Sequence, residues 1–485
     1  VNLLLVTLDQ FRGDCLSAAG HRVVRTPNLD RLAASGVRFD RHYSQAAPCA
    51  PGRACLYTGT YQMNNRVVAN GTPLDDRLDN LARAGRRAGL DPTLFGYTDQ
   101  GVDPRTVQSP DNPRLSSYEG VLPGFSVGLD LTGNYTLWVE WLRELGHDVP
   151  SAADGALATE SDRPEEVGVS AFMTNRYLEW LERRDEPWFA HLSYLRPHPP
   201  YAAAGHWALA FDPDDVDMSI APGPNRHEFH QEALRSSLAA APADERTLRW
   251  LRAQYYGMIG DVDAQLGRVW DALERLGQWQ ETLVIVTSDH GEQLGDHGLM
   301  GKLGYFEESY RVPGIVRAPG LVEAHGTVVH AFTENVDLFP TICEALQLDI
   351  PAQCDGLPLT AFLQGRLPPW WRSAATWEFD WRYLGLPAAA FDWPWDRHLE
   401  RCNLAVRRSD DGAYVQFADG SWCCYDLEAD PTWRTEVDDP SRILGYAQSM
   451  LAWRAEHADR NVTNFLLENG GIGRWPVGSA AARSD

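Results

Sequence analysis

VNLLLVTLDQ (residues 1–10) and TLVIVTSDHG (residues 282–291) decide how this 485-residue chain folds. Each is an unbroken apolar run of strand length, and each ends abruptly in side chains that carry chemistry: Asp9 in the first, Asp289 and His290 in the second. Continuous rather than alternating apolar character marks strands buried on both faces, as in a sheet sandwiched between helices. Similar runs occur at TLFGYT (93–98), WFAHLSYL (188–195) and VPGIVRA (312–318). Helical stretches interleave with them near 26–36, 169–184, 244–276 and 334–346, a pattern that predicts a large α/β sheet flanked by helices. Ligands of open α/β sheets gather outside the carboxyl ends of the strands. The two runs would therefore deliver Asp9, Asp289 and His290 to one place, and two carboxylates with an imidazole suit a divalent metal. An Asp closing a strand is also ordinary turn chemistry; the joint pattern is what favours a metal.

A third stretch, SQAAPCAPGRACLYTG (44–59), joins that pattern. Pro51 suits the first turn of a helix that Gly59 would end. Cys49 then lies at the helix N-terminus, where unpaired N–H groups and the helix dipole favour negative charge, and Arg53 projects back toward it. Cys49 has three readings: a buried thiol, a thiol nucleophile, or the precursor of another group. Free cysteine is among the most buried residue types, and Cys55 and Cys343 belong to that class.

Beyond about residue 357 the texture changes to short strands, AATWEFDW, NLAVRR, AYVQFA and WCCYDL, followed by a helix near 441–457. The expected division is a catalytic α/β domain over 1–357 and a smaller C-terminal α+β domain with an antiparallel sheet over 358–485. The segments 101–125 and 202–230 read as long loops, and the aromatic cluster at 377–398 as packing. With 43 basic against 67 acidic residues the net charge is −24, which argues against nucleic acid and anionic membrane as partners. No apolar run reaches the roughly 18 residues of a membrane helix. Eight cysteines without paired spacing read as free thiols in a reducing compartment, so a cytoplasmic location is expected.

CAPGR (49–53) fits the Cys-x-Pro-x-Arg motif of the sulfatase family within the alkaline phosphatase superfamily. TPNLDRLAASGVRF, SDHGEQLGDHGLMGK and YDLEADP resemble further blocks of that family, in family order. YLRPHPP, MNNRVVANGTPL and FGYT bring the resemblance closer to the bacterial phosphonate monoester hydrolase branch. The resemblance implies that Cys49 is oxidised to formylglycine by a separate formylglycine-generating enzyme. Its hydrate would attack sulfur or phosphorus with one hydroxyl and use the second to release the product. It further implies Asp9, Cys49, Asp289 and His290 as metal ligands, with Arg53 orienting the nucleophile and Lys302 contacting the transferring group. His198 would assist the leaving group, while Asn70, Tyr97 and Gln10 would line the substrate.

Three positions refine the expectation. Gln10 stands where sulfatases carry a second consecutive Asp, and His290 where many carry Asn. The imidazole favours manganese, with calcium and zinc as the other candidates. Asp99 stands where that branch would have Thr. His297, in GDHG, is assigned to loop structure. The implied substrate is a small anionic ester: a phosphonate monoester first, then phosphodiesters and sulfate monoesters. A dedicated arylsulfatase and a catalytically silent metal-binding protein are the competing readings. The branch also implies a homo-oligomer, with a tetramer as one form; the tail 470–485 reads either as an intersubunit arm or as an exposed disordered terminus.

Overall fold

Eight strands form the central sheet of the computed structural model, which describes all residues except 116, 118, 119, 134, 151, 225, 383–400, 459–466, 469, 470 and 473–485. In chain order the first nine strands are β1 (Asn2–Leu8), β2 (Val37–Tyr43), β3 (Ala46–Ala47), β4 (Pro92–Gly96), β5 (Ser126–Asp130), β6 (Phe189–Tyr194), β7 (Thr282–Thr287), β8 (Gly314–Arg317) and β9 (Thr327–Glu334). All but β3 belong to the central sheet, in the order β5-β4-β6-β1-β7-β8-β2-β9. Only β8 runs antiparallel to its neighbours, so the sheet is mixed. The strand β1 sits at its centre, in parallel register with β6 (Leu5 opposite His191) and β7 (Leu5 opposite Ile285).

The side-chain period of two sends alternate residues of β1 to opposite faces. Leu4, Val6 and Leu8 join one core with the helices Val169–Leu181 and Glu245–Arg275. Leu3 and Leu5 join the other with the helices Cys49–Thr58 (α2 below) and Leu338–Ala345. A Pro27–Ala34 helix, α1, opens at Pro27 as expected. Full burial on both faces, at about 1.5–3 kcal/mol per large apolar side chain, is what an unbroken apolar run provides.

The second sheet contains β10 (Ala374–Asp380), β11 (Asn403–Ser409), β12 (Gly412–Phe417) and β13 (Trp422–Asp426) in antiparallel order, with the helix Pro440–Glu456 packed on it. Its fifth strand is β3, which pairs in parallel with β10 (Glu378 opposite Ala46). Residues 46 and 47 thus tie the C-terminal sheet to the chain entering α2. Trp377 of β10 stacks between Tyr43 and Tyr310, at centroid distances of 5.6 and 5.0 Å. That is the packing role expected for the start of the aromatic cluster; its residues 383–398 lie outside the described residues. The tail 470–485 also lies outside them, apart from 471 and 472. Within the loop 202–230 a short 3-10 helix, Gly205–Leu209, packs against the 245–275 helix. Among the described residues no helix is long and apolar enough to cross a membrane.

Candidate functional site

Four adjacent parallel strands, β4-β6-β1-β7, bring their carboxyl ends side by side. Tyr97 and Asp99 follow β4, His198 follows β6, Asp9 and Gln10 follow β1, and Asp289 and His290 follow β7. Helix α2 enters from the side. Its first residue is Cys49, and Gly59 closes it in the left-handed conformation at φ 68°. Gly52 allows that approach: a Cβ there would stand 2.4 Å from the Asp289 carbonyl oxygen and 2.9 Å from that of Ala46.

The Cys49 Sγ lies 3.3 Å from His290 Nε2, 3.2 Å from Lys302 Nζ and 3.9 Å from Asp9 Oδ1. Ligand atoms of Asp9, Cys49, Asp289 and His290, all buried, fall within 4.8 Å of one another. His290 Nδ1 faces the Gly291 carbonyl oxygen at 3.0 Å, and an oxygen there can only accept. The ring proton therefore sits on Nδ1, and the Nε2 lone pair points at the cluster, the orientation a metal ligand needs. Carboxylate oxygens, an imidazole lone pair and a sulfur converging in a dry pocket fit one divalent cation.

Electrostatics agree with that fit. Burial and the neighbouring Asp9 carboxylate push Asp289 up to about 7, against the pull of Arg53. Burial would raise Asp9 too, but His198, Arg53 and Lys302 hold it well below the ordinary carboxylate range. Burial, with Lys302 nearby, pushes His290 down to about 3. Burial and then Asp9 drive the Cys49 thiol well above its ordinary value, against the pull of Lys302. A thiol so placed is a poor nucleophile, because the thiolate is the reactive form.

Arg53 is fully buried and spends its donors on protein groups. Its Nε donates to Asp289 Oδ2 (2.9 Å) and Nη2 to Asp9 Oδ2 (3.0 Å). Its Nη1 donates to Ser193 Oγ (2.7 Å) and the Tyr97 carbonyl (3.1 Å), and the guanidinium lies over the Tyr97 ring. Tyr97 itself donates its hydroxyl proton to Asp9 Oδ2 at 2.7 Å. Lys302 Nζ bridges Sγ and Gln10 Oε1 (2.8 Å), while Gln10 Nε2 donates to Glu292. Gln10 adopts φ 67°, a left-handed backbone of the kind that clusters at functional sites. Asn70 Oδ1 accepts from the Ala50 N–H at 3.0 Å, capping α2, and lines a 620 Å³ groove with Arg66, Val68, Glu378 and Leu404. His198 Nδ1 faces the Pro199 carbonyl at 2.6 Å, so its Nε2 also carries the lone pair. Burial and Lys302 push His198 down to about 3.

Every candidate site residue thus gathers around Cys49 or the N-terminus of α2. His297 does not: it stacks flat on Phe306 at 3.6 Å, with Nε2 3.3 Å from Glu308, as a loop residue. Two supporting groups carry no motif of their own. Glu292 is buried and accepts from Gln10, from Leu294 N (2.8 Å) and from Gly301 N (2.6 Å), joining the Gln10, His290 and Lys302 segments. Arg196 donates to Glu160 and to the carbonyls of His198 and Pro200, both at 2.8 Å, and so shapes the loop bearing His198. An acid two places beyond His290 and an Arg two places before His198 were the available signals.

Together with the family and structural matches that follow, a mixed α/β sheet with this cluster at its carboxyl edge makes the chain an ester hydrolase of the alkaline phosphatase superfamily. The chain belongs to the sulfatase family, whose model matches residues 1–348; the model of the N-sulphoglucosamine sulphohydrolase C-terminal region matches residues 295–451. It is 38% identical to the multifunctional alkaline phosphatase superfamily protein PehA of Trinickia caryophylli, over 97% of this chain and 98% of that protein. Among solved structures it resembles the phosphonate monoester hydrolase of Agrobacterium radiobacter (TM-score 0.89, 42% identity, 98% of this chain and 100% of that one). It also resembles the phosphonate monoester hydrolase SpPMH of Silicibacter pomeroyi (TM-score 0.88, 33% identity, 98% and 99%).

Proposed function

We propose that this enzyme hydrolyses phosphonate monoesters, and phosphodiesters and sulfate monoesters at lower rates, using formylglycine made from Cys49. The observation that carries the reading is the set of Asp9, Asp289, His290 and Lys302 around Sγ. The likeness to two phosphonate monoester hydrolases over nearly the whole chain supports phosphorus as the preferred centre. Asp9, Asp289, His290 and residue 49 would hold one divalent cation, manganese by preference. A cation bound there supplies Lewis-acid charge that acidifies an attached hydroxyl and polarises the centre under attack. Conversion of Cys49 would give an aldehyde whose hydrate carries one hydroxyl to attack and a second to release the product as the aldehyde re-forms, where a serine or cysteine ester would need water to attack it.

The chain's own residues do the remaining work. Arg53 ties Asp9 to Asp289 and fixes both carboxylates, acting behind the nucleophile rather than on the substrate. Lys302 places a positive charge 3.2 Å from Sγ, where charge on the transferring group gathers. Gln10 holds Lys302 by its Oε1, with its amide orientation set by Glu292. Neutral His198 presents Nε2 as a proton acceptor, able to take a proton during attack and return it to the leaving oxygen; such assistance is worth about 10²–10⁴ in rate. Tyr97 backs Asp9, and Asn70 stands where the groove meets the nucleophile's helix.

The reading includes maturation by a formylglycine-generating enzyme, a cytoplasmic location and a homo-tetramer, for which light scattering is the check. A panel of aryl phosphonate monoesters, phosphodiesters and sulfates with one leaving group tests the substrate order. Highest kcat/KM on the phosphonate supports it; turnover of sulfate alone would make the enzyme a dedicated arylsulfatase.

A further inference from the structure

We propose that Glu292 is a positioning residue for Lys302, acting through the side-chain amide of Gln10, and that the direction of this hydrogen-bond chain holds the ammonium at the nucleophile. The inference rests on the reading of Lys302 as the cation that meets the transferring group. Gln10 is fully buried. Its backbone is pinned on both sides: the N–H donates to Asp289 Oδ1 (3.2 Å) and the carbonyl accepts from the Tyr255 hydroxyl (2.7 Å). Its side-chain amide is engaged at both ends, Nε2 donating to Glu292 Oε2 and Oε1 accepting from Lys302 Nζ (2.8 Å). Gln10 is thus a link between two charged groups rather than a lining of the substrate.

An amide has two orientations, and here one alone satisfies both neighbours. A carboxylate only accepts and an ammonium only donates, so nitrogen must face Glu292 and oxygen must face Lys302. Glu292 is itself held in place. Its Oε1 accepts from Leu294 N (2.8 Å) and Gly301 N (2.6 Å), which leaves Oε2 for Gln10. The Tyr201 hydroxyl faces the same carboxylate. Glu292 therefore grips the backbone just before Lys302 and, through Gln10, the ammonium itself, which stands 3.2 Å from Cys49 Sγ.

Glu292→Gln keeps the shape and reverses the chain. The two backbone N–H groups retain the amide oxygen at the Oε1 position, so the amide nitrogen takes the place of Oε2. Gln10 Nε2 then meets a donor, and turning the Gln10 amide over to relieve that clash presents its NH2 to Lys302. Tyr201 does not resist the reversal, because a hydroxyl accepts as well as donates. The ammonium loses its acceptor and shifts, and a displacement of about 1 Å is worth about 10²-fold in rate.

The test is kcat/KM for an aryl phosphonate monoester in wild type, Glu292→Gln, Lys302→Met, the double variant of these two, and the swap Gln10→Glu/Glu292→Gln. Glu292→Gln is expected to lower kcat/KM by about 10–10²-fold. In the Lys302→Met background the same change should cost no more than about 2-fold, because its whole effect passes through that ammonium. The swap restores the direction at unchanged net charge: the new amide at 292 donates to residue 10, whose other oxygen accepts from Lys302. It should recover most of the loss. An undiminished Glu292→Gln, losses that multiply in the double variant, or a swap no more active than Glu292→Gln overturns the assignment and leaves Glu292 as a loop support. Should Glu292→Gln fail to fold, Gln10→Met cuts the same chain at its middle, and its loss must likewise vanish in the Lys302→Met background. Failure of the wild type to hydrolyse any ester would instead refute the functional reading, and the same cycle on calorimetric binding of phenylphosphonate would still decide the role of Glu292.

Discussion

Replacing Arg196 with Met isolates how this fold holds a catalytic loop in place. Arg196 and Glu160 form an ion pair in which both side chains are 1% exposed. The guanidinium donates Nε to Glu160 Oε2 at 3.0 Å and Nη1 to the carbonyls of His198 and Pro200. The other Glu160 oxygen accepts from Val169 N at 2.7 Å, at the start of the 169–181 helix. Arg196→Met leaves a carboxylate and two carbonyls buried without their cation. Removing one partner of a buried pair costs about 3–5 kcal/mol. With a urea m-value of about 3 kcal/mol/M or more for a chain of this size, the unfolding midpoint falls by about 1 M. The His198 loop loses two of its anchors, and a misplacement of about 1 Å is worth about 10²-fold, so kcat falls by that order. The double variant Arg196→Met/Glu160→Met removes both charges, and should recover about half of the lost stability but none of the lost kcat. Urea unfolding and steady-state kinetics on the four proteins complete the cycle. A single variant within about 0.5 kcal/mol of wild type, or a double variant no more stable than the single, would refute the reasoning.

Three further outcomes follow from the same geometry. Lys302→Met should lower kcat/KM by about 10²–10³-fold while circular dichroism stays unchanged, because it deletes the cation touching the nucleophile position. Asp261, on the 245–275 helix, is pushed up to about 7 by burial and by the nearby Glu160 carboxylate. A raised acid binds its proton more tightly in the folded than in the unfolded chain, so its contribution to stability is present at low pH and lost as pH rises to about 7. Asp261→Asn should therefore remove up to about 1.4 kcal/mol per pH unit of that decline between pH 5 and 7, read from unfolding free energies; an unaltered slope refutes it. Elemental analysis of purified protein should give about one manganese or zinc per chain, and activity lost to a chelator should return with manganese; calcium as the main metal would contradict the role given to His290.

Much of the central sheet was legible because its inner strands are mainly apolar. β1, β6 and β7, buried on both faces, read directly from their runs. The strands that escaped are those with a compromised pattern. β2 (VRFDRHY) carries charged residues at positions only half-buried, β5 and β9 are exposed over much of their length at the two sheet edges, and β3 is two residues long. Cys49, Asp9, Asp289 and His290 were legible as a group because strand ends and a helix start are local signals, and their convergence follows from the carboxyl-edge rule. The roles of Gln10 and Arg53 were less legible, since both depend on long-range partners. Gln10 turns to Glu292 and Lys302, and Arg53 spends its donors on Asp9, Asp289 and Ser193. Glu292 and Arg196 had only their places beside His290 and His198 to mark them: what a buried ion or acceptor does is defined by what surrounds it in space.

The most direct test of the account is mass spectrometry of the tryptic peptide spanning residues 42–53, from catalytically active protein purified from its own host. The account predicts the mass of an aldehyde, or of its hydrate, in place of the Cys49 thiol. An intact thiol at Cys49 in protein that still turns over its substrate would contradict it.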